Sequence, residues 1–153
     1  MIKANPMLNV LLINGPNLNL LELREKEHYG NISLSGIEST IKAHAVECNI
    51  DLIAKQSNHE GEIVEFIHEA IKTDKYQAII INAAAYTHTS IAILDALKIF
   101  KGQVIEVHLS DITKREDFRK NSYISLRADK VFFGEGVNSY LKAIDYLRGL
   151  NHV

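Results

Sequence analysis

The chain has 153 residues, 46% of them apolar, and a formal net charge of −2. That supports one domain over 1–153 with its own core, and it offers no basic surface of the kind nucleic acid selects. No apolar stretch approaches the roughly 20 residues of a membrane span.

The start, Met1-Ile-Lys-Ala-Asn-Pro-Met7, has no apolar middle or cleavage site, so it reads as a loose extension rather than a secretory leader. Asn9-Val-Leu-Leu-Ile13 is the first buried strand. It runs into Asn14-Gly-Pro-Asn-Leu-Asn19, where Gly15 and Pro16 force a turn and Asn17 and Asn19 offer amides. The polar segment Glu22 to Gly30 follows. It is too long for a tight connection and suits a lid over about 20–30. Ser35 to Glu47 has the period of an amphipathic helix, with Ile37, Ile41, Ala45 and Cys48 on its buried face. Cys48 is the only cysteine, which excludes a disulfide within the chain and fits a cytoplasmic protein.

Ile50 to Ala54 is a second strand, and Gly61 to Lys72 a helix with Ile63, Phe66, Ile67 and Ala70 inward. Ala78 to Ile81 is strand three. Asn82-Ala-Ala-Ala-Tyr-Thr-His-Thr-Ser90 leads from it into a helix over Thr89 to Phe100, carrying Ile91, Leu94 and Leu97. Val104 to Val107 is strand four and ends in His108-Leu-Ser110. Lys130 to Phe133 is strand five, and the last helix runs from Gly136 to Arg148 with Val137, Tyr140, Leu141, Ile144 and Leu147 inward. Apolar strands separated by helices argue for a parallel sheet covered on both faces. Five such units suit a flavodoxin-like, doubly wound α/β fold of strand order 2-1-3-4-5, whose ligands bind beyond the carboxyl ends of strands one and three. The loops after strands one, three and four are then where chemistry belongs. They carry Asn17, Asn82, His88, His108 and Ser110, with Arg115 and Arg119 one helical turn apart beyond them. An arginine fork suits a carboxylate because it donates two parallel hydrogen bonds.

These residues fall into motifs. They are Leu12-Ile-Asn-Gly-Pro-Asn-Leu-Asn-Leu-Leu21, Arg24-Glu25, Tyr29-Gly30 and Gln56-Ser-Asn-His-Glu-Gly-Glu62. Further on come Ile81-Asn82, Tyr86-Thr-His-Thr-Ser90, Asp95-Ala96, Glu106-Val-His-Leu-Ser110, Arg115-Glu116, Phe118-Arg119 and Asn121-Ser-Tyr123. In this order and spacing, from about residue 8 to 148, the chain resembles the type II 3-dehydroquinate dehydratases of the shikimate pathway. The resemblance implies elimination of water from 3-dehydroquinate, without metal, cofactor or lysine Schiff base. It implies Tyr29 as the base, His108 as the general acid and Arg24 as the lid arginine beside the base. Asn82, His88, Asp95, Leu109, Ser110 and Arg119 would be substrate contacts, with Asn17 at the site. It further implies a homo-oligomer, trimers assembling to a dodecamer, in which Asp95 crosses a subunit boundary.

The reaction itself asks for such groups. A proton beside a ketone is weakly acidic, and a phenol of normal pKa near 10 is basic enough but mostly protonated at neutral pH. A guanidinium nearby favours the phenolate, and Arg24 lies five residues before Tyr29. The departing hydroxide needs a donor, a task suited to histidine. Glu106 precedes His108 by two, so on a strand both face one way and the carboxylate can orient the imidazole. An amide at Asn17 could serve the enolate oxygen. Leu109, Ser110 and Asn82 could cradle the substrate carboxylate.

Ordinary readings stand beside these. Tyr29 could anchor a loop, His108 could be structural, His88 could open a helix, and Arg115, Arg119 and Asp95 could be solvated. His44, His68 and His152 look structural, and His59 could brace neighbouring loops or an interface. Glu22-Leu23 replaces a pair in which the family usually has glycine. This stiffens the lid, or strains it if a left-handed backbone is needed there, and adds a negative charge near the phenolate. The rival reading is a non-catalytic flavodoxin-like binding module or a degenerate family member. A phospho-receiver would want acids where Asn14 and Asn82 stand, and a flavin site would want hydroxyls in the first loop.

Overall fold

The computed structural model describes residues 5–24 and 32–151. Five strands form one parallel sheet in the order β2-β1-β3-β4-β5: β1 (Leu8–Asn14), β2 (Ile50–Gln56), β3 (Ala78–Asn82), β4 (Gln103–His108) and β5 (Lys130–Phe133). The helices are α1 (Leu34–Glu47), α2 (Glu60–Thr73), α3 (Ile91–Ile99) and α4 (Val137–Asn151). None of them is long and apolar enough to cross a membrane. The flavodoxin-like order expected from the sequence is the order found.

Alternation along the strands divides the core into two layers. Val10, Leu12, Ala78, Ile80, Ile105 and Val107 pack with α1 and α4. Leu11, Ile13, Ile79, Ile81 and Val104 pack with α2 and α3 on the opposite face. Residues one apart on a strand point to opposite faces, so a sheet covered on both sides needs every position apolar. That is why β1 and β3 read as unbroken apolar runs. β5 is the short edge strand, and its Phe133 is partly open to solvent.

Local chemistry moves several boundaries. α1 is capped by Ser33, whose Oγ accepts from Gly36 N at 3.1 Å. α3 begins at Ile91 rather than Thr89, because Ser90 is its cap and accepts from Ile93 N at 2.9 Å. Ile91 is thereby placed on the outside, and Ile93 joins Leu94 and Leu97 in the core. Residues Ala84–His88 form a separate 3-10 turn. The segment after β4 is two 3-10 turns, Ile112–Lys114 and Asp117–Arg119, with extended backbone at Arg115 and Glu116 between them. Arg115 and Arg119 are therefore not one turn apart on a helix, as their spacing suggested. Phe66 is only half-buried and carries the Lys55 ammonium 5.0 Å from its ring centroid.

Candidate active site

β1 and β3 lie side by side, and their connections leave the sheet in opposite directions. The register pairs Asn14 with Asn82 at their carboxyl ends. Gly15 makes the close crossing possible. A Cβ there would lie 2.4 Å from the Ala83 carbonyl oxygen, and Gly15 N donates to Asn82 O at 2.7 Å. Asn17 then takes a left-handed backbone, φ 68°, which an asparagine tolerates. Its N–H is held by Asn58 Oδ1 at 2.9 Å, and Gln56 Nε2 donates both to that same oxygen and to Gly15 O. Asn58 O in turn accepts from the Tyr86 hydroxyl at 2.8 Å. The loop after β2 thus braces the loop after β1.

A cleft opens over these strand ends. Of the residues singled out in the sequence, it brings together Asn17, Arg24, Asn82, His88, His108, Leu109, Ser110 and Arg119. Arg115 also lines it, with a side chain only 9% exposed and so not solvated. Tyr29 lies outside the described residues. Asp95 is on the exposed side of α3 and does not line this chain's cleft. Glu106 sits behind it, fully buried. Glu22 opens on a different groove, with Asn19 and Glu38, and neither it nor Leu23 has the left-handed backbone that the missing glycine raised as a concern.

His108 is the best-braced of these groups. Its Nε2 lies 2.5 Å from Glu106 Oε2, as the two-residue spacing on β4 required. The carboxylate also accepts from Ser122 Oγ at 2.8 Å and Ser125 Oγ at 2.6 Å. Burial alone would raise the Glu106 pKa. The hydrogen bonds from His108, Ser125 and Ser122, with the charge of His108, outweigh that and hold it below the ordinary carboxylate value. Glu106 is thus a buried anion. Its partner uses Nε2 against it, which leaves Nδ1 as the ring nitrogen for other work.

His88 is held differently. Its Nδ1 lies 2.8 Å from Asn121 O, and since a carbonyl only accepts, Nδ1 carries the proton. Burial lowers the His88 pKa, the Asn121 bond opposes this, and His108 and Arg119 add to the lowering. A neutral ring protonated at Nδ1 presents Nε2 as an acceptor, which suits a ligand hydroxyl rather than a carboxylate. Arg119 donates from Nε to Glu116 Oε2 at 2.9 Å, which fixes the guanidinium at the rim.

Asn82 belongs to a buried chain of polar groups that the sequence reading missed. Its Nδ2 donates to the Tyr140 hydroxyl at 2.9 Å, and that hydroxyl donates to Asn14 Oδ1 at 2.7 Å. Asn82 Oδ1 accepts from Ala84 N, which helps hold Ala84 at φ 51°, an unfavourable region for alanine. Burial pushes the Tyr140 phenol far above its usual range, so it stays a donor. Tyr140 looked like one more apolar position of α4, and only its polarity among apolar neighbours hinted otherwise. Ser122 and Ser125 gave no signal beyond the Asn-Ser-Tyr motif.

Comparisons with known proteins point to one family. Residues 8–148 match the family described as dehydroquinase class II. A 3-dehydroquinate dehydratase from Prochlorococcus marinus (strain MIT 9215) is 50% identical over 149 residues, covering 95% of this chain and 100% of that protein. One from Clostridium botulinum is 48% identical, covering 92% and 95%. Among solved structures, the type II dehydroquinase of Butyrivibrio crossotus superposes with a TM-score of 0.88 at 41% identity, covering 92% of this chain and 97% of that one. That of Propionibacterium acnes gives 0.89 at 32% identity, covering 95% and 99%.

Proposed function

The chain belongs to the dehydroquinase class II family, and from that premise we propose how its residues carry out the reaction. It is a hydro-lyase, a 3-dehydroquinate dehydratase, and its product is the conjugated enone 3-dehydroshikimate. The observation that carries the assignment of roles is the His108–Glu106–Ser122–Ser125 array at the floor of a cleft lined by amides and arginines.

The base is Tyr29. Its support is its place in the Arg24-to-Gly30 motif, with Arg24 on the cleft wall to favour the phenolate. The phenolate takes the proton beside the ketone, and the electron pair moves onto the carbonyl oxygen as an enolate. The Asn17 amide, or a water it holds, donates to that oxygen. When the enolate collapses, the C–O bond on the opposite face breaks and the leaving hydroxide takes the His108 proton to become water. Glu106 balances the imidazolium that this requires, and the low local dielectric makes that pairing effective. Asn82, the Leu109 and Ser110 N–H groups and the Ser110 hydroxyl receive the substrate carboxylate. His88 Nε2 accepts from a ring hydroxyl, and Arg119 and Arg115 supply positive charge at the mouth.

The test is an ultraviolet assay of enone formation with wild type and His108→Asn. Asparagine keeps a hydrogen-bonding side chain but supplies no acid, so turnover falls by roughly 10²- to 10⁴-fold with substrate still bound. Turnover near the parent's would remove His108 as the acid. Borohydride added with substrate should leave activity intact, since no imine forms; covalent trapping would point to a lysine route.

Asp95 stands exposed on α3, where a neighbouring subunit's cleft could receive it. The family resemblance is what supports assembly into trimers and then a dodecamer, and action in the cytoplasm on a small-molecule substrate. Light scattering on the eluting protein checks the assembly. Asp95→Asn raising KM in the oligomer checks the shared contact.

A further inference from the structure

Among the described residues, one group of histidine, cysteine and acidic side chains brings its ligand atoms within 4.8 Å of one another: His44, Cys48 and Asp145. We propose that these three residues form a binding site for a divalent transition-metal ion of the zinc type, with one coordination position left open to solvent.

The site is built by two helices. His44 and Cys48 are four residues apart at the end of α1, so both project from one face. Asp145 comes from α4, which packs beside it. His44 Nε2 lies 2.7 Å from Asp145 Oδ1, Cys48 Sγ 3.8 Å from that nitrogen and 4.0 Å from that oxygen. Zinc bonds of about 2.0 Å to nitrogen or oxygen and about 2.3 Å to sulfur, at tetrahedral angles, place such donors about 3.3–3.6 Å apart. Each separation therefore needs to change by only about half an ångström around the ion. Thiolate, imidazole and carboxylate together select zinc, cobalt or copper over magnesium or calcium, which want oxygen alone.

Surrounding groups fit the same reading. His44 Nδ1 stands 4.0 Å from Glu47 Oε2, the place of the outer carboxylate that orients a metal-bound imidazole. Arg148 Nη2 lies 3.7 Å from the same Asp145 oxygen and also faces the thiol, so a cation already occupies this electronegative corner. Its side chain is 48% exposed and can swing outward. Burial raises the Cys48 pKa, so metal uptake must displace the thiol proton and strengthens as pH rises. Cys48 ends α1 just before β2, at the amino edge of the sheet. The cleft lies beyond the carboxyl edge, so the ion would clamp α1 to α4 and take no part in the dehydration.

The test titrates tag-free, full-length protein with Co²⁺. The expected result is saturable uptake of one ion per chain, with a thiolate-to-cobalt band in the near ultraviolet and intense tetrahedral bands in the visible. Cys48→Ser should abolish the near-ultraviolet band. Asp145→Asn, a surface change that does not endanger folding, should weaken apparent affinity by more than about tenfold, the loss that removal of even an outer partner brings. Both variants should retain the parent's dehydratase turnover. Absence of the band in wild type, a weak octahedral spectrum, or a band unchanged in Cys48→Ser would each overturn the proposal.

Discussion

The carboxyl ends of β1, β3 and β4 are closed by Asn14, Asn82 and His108, which are 0%, 3% and 4% exposed. Four residues upstream, on the same faces of the same strands, stand Val10, Ala78 and Val104, equally buried and wholly apolar. The apolar layer needs only neighbours of suitable volume. The polar layer needs a particular partner for each side chain, at a particular angle, because an unpaired buried amide or carboxylate is costly. Those partners come from far along the chain: Tyr140 is 126 residues from Asn14, and Ser125 is 19 from Glu106. One sheet thus holds a layer that tolerates substitution within hydrophobic limits and a layer in which each change has a specific chemical consequence.

Mutations can break that contrast, and the largest effect should come from the catalytic side. Tyr29→Phe should lower kcat by roughly 10³-fold, near the middle of what general base catalysis contributes. Steady-state assays with isothermal titration of substrate would check it: binding should persist while turnover is lost. Ile80→Ala, in the apolar layer one turn of the pleat before Asn82, should cost about 2–5 kcal/mol of stability. Denaturant melts should show the loss while turnover per folded molecule stays at the parent's value.

Glu106→Gln tests the polar layer where its charge resides. The amide keeps the shape and one acceptor but removes the anion that balances an imidazolium. kcat should therefore fall by roughly 10²-fold, with KM changed far less. Tyr140→Phe removes one hydroxyl from the Asn14–Tyr140–Asn82 chain and leaves two amides underpartnered, at a cost of about 1–3 kcal/mol. Because Asn82 then loses its orientation, KM should rise more than kcat falls. A Tyr140→Phe enzyme with unchanged KM would show that Asn82 is held by the backbone alone.

The smallest effect is one of pH. The Glu106 carboxyl is held below its ordinary value, so its contribution to stability is complete above the ordinary carboxylate range. It is lost as pH falls through the lower folded value. Acid melts should show wild type losing this increment and Glu106→Gln lacking that part of the slope.

How much of this could be read from the residues differs between the layers. The strands were legible because a sheet buried on both faces forces unbroken apolar runs, and β5 was placed at its observed bounds. The sequence leaves the start of α3 open, because Thr89 and Ser90 are both plausible caps, and only the bond from Ile93 N to Ser90 Oγ decides between them. The four-residue spacing of Arg115 and Arg119 suggests a shared helical turn, but spacing reports a helix only where the backbone is helical. Here the backbone is extended at Arg115 and Glu116, between two short 3-10 turns. Glu106 and His108 were paired correctly because strand geometry alone puts them on one face. Tyr140 was read as core, correctly, but its hydroxyl's partners on β1 and β3 leave no mark in the local pattern of α4.

The sequence by itself determined the sheet, its strand order, and which strand ends carry polar groups, because periodicity and turn chemistry are local properties of the chain. The tertiary structure alone decided which of those polar groups face one another. It set the serines against Glu106, the buried tyrosine between two asparagines, and His44 and Cys48 beside Asp145. Hydrogen bonds are short and directional, and residues remote in sequence meet only after the apolar layers have fixed the distances between the elements that carry them.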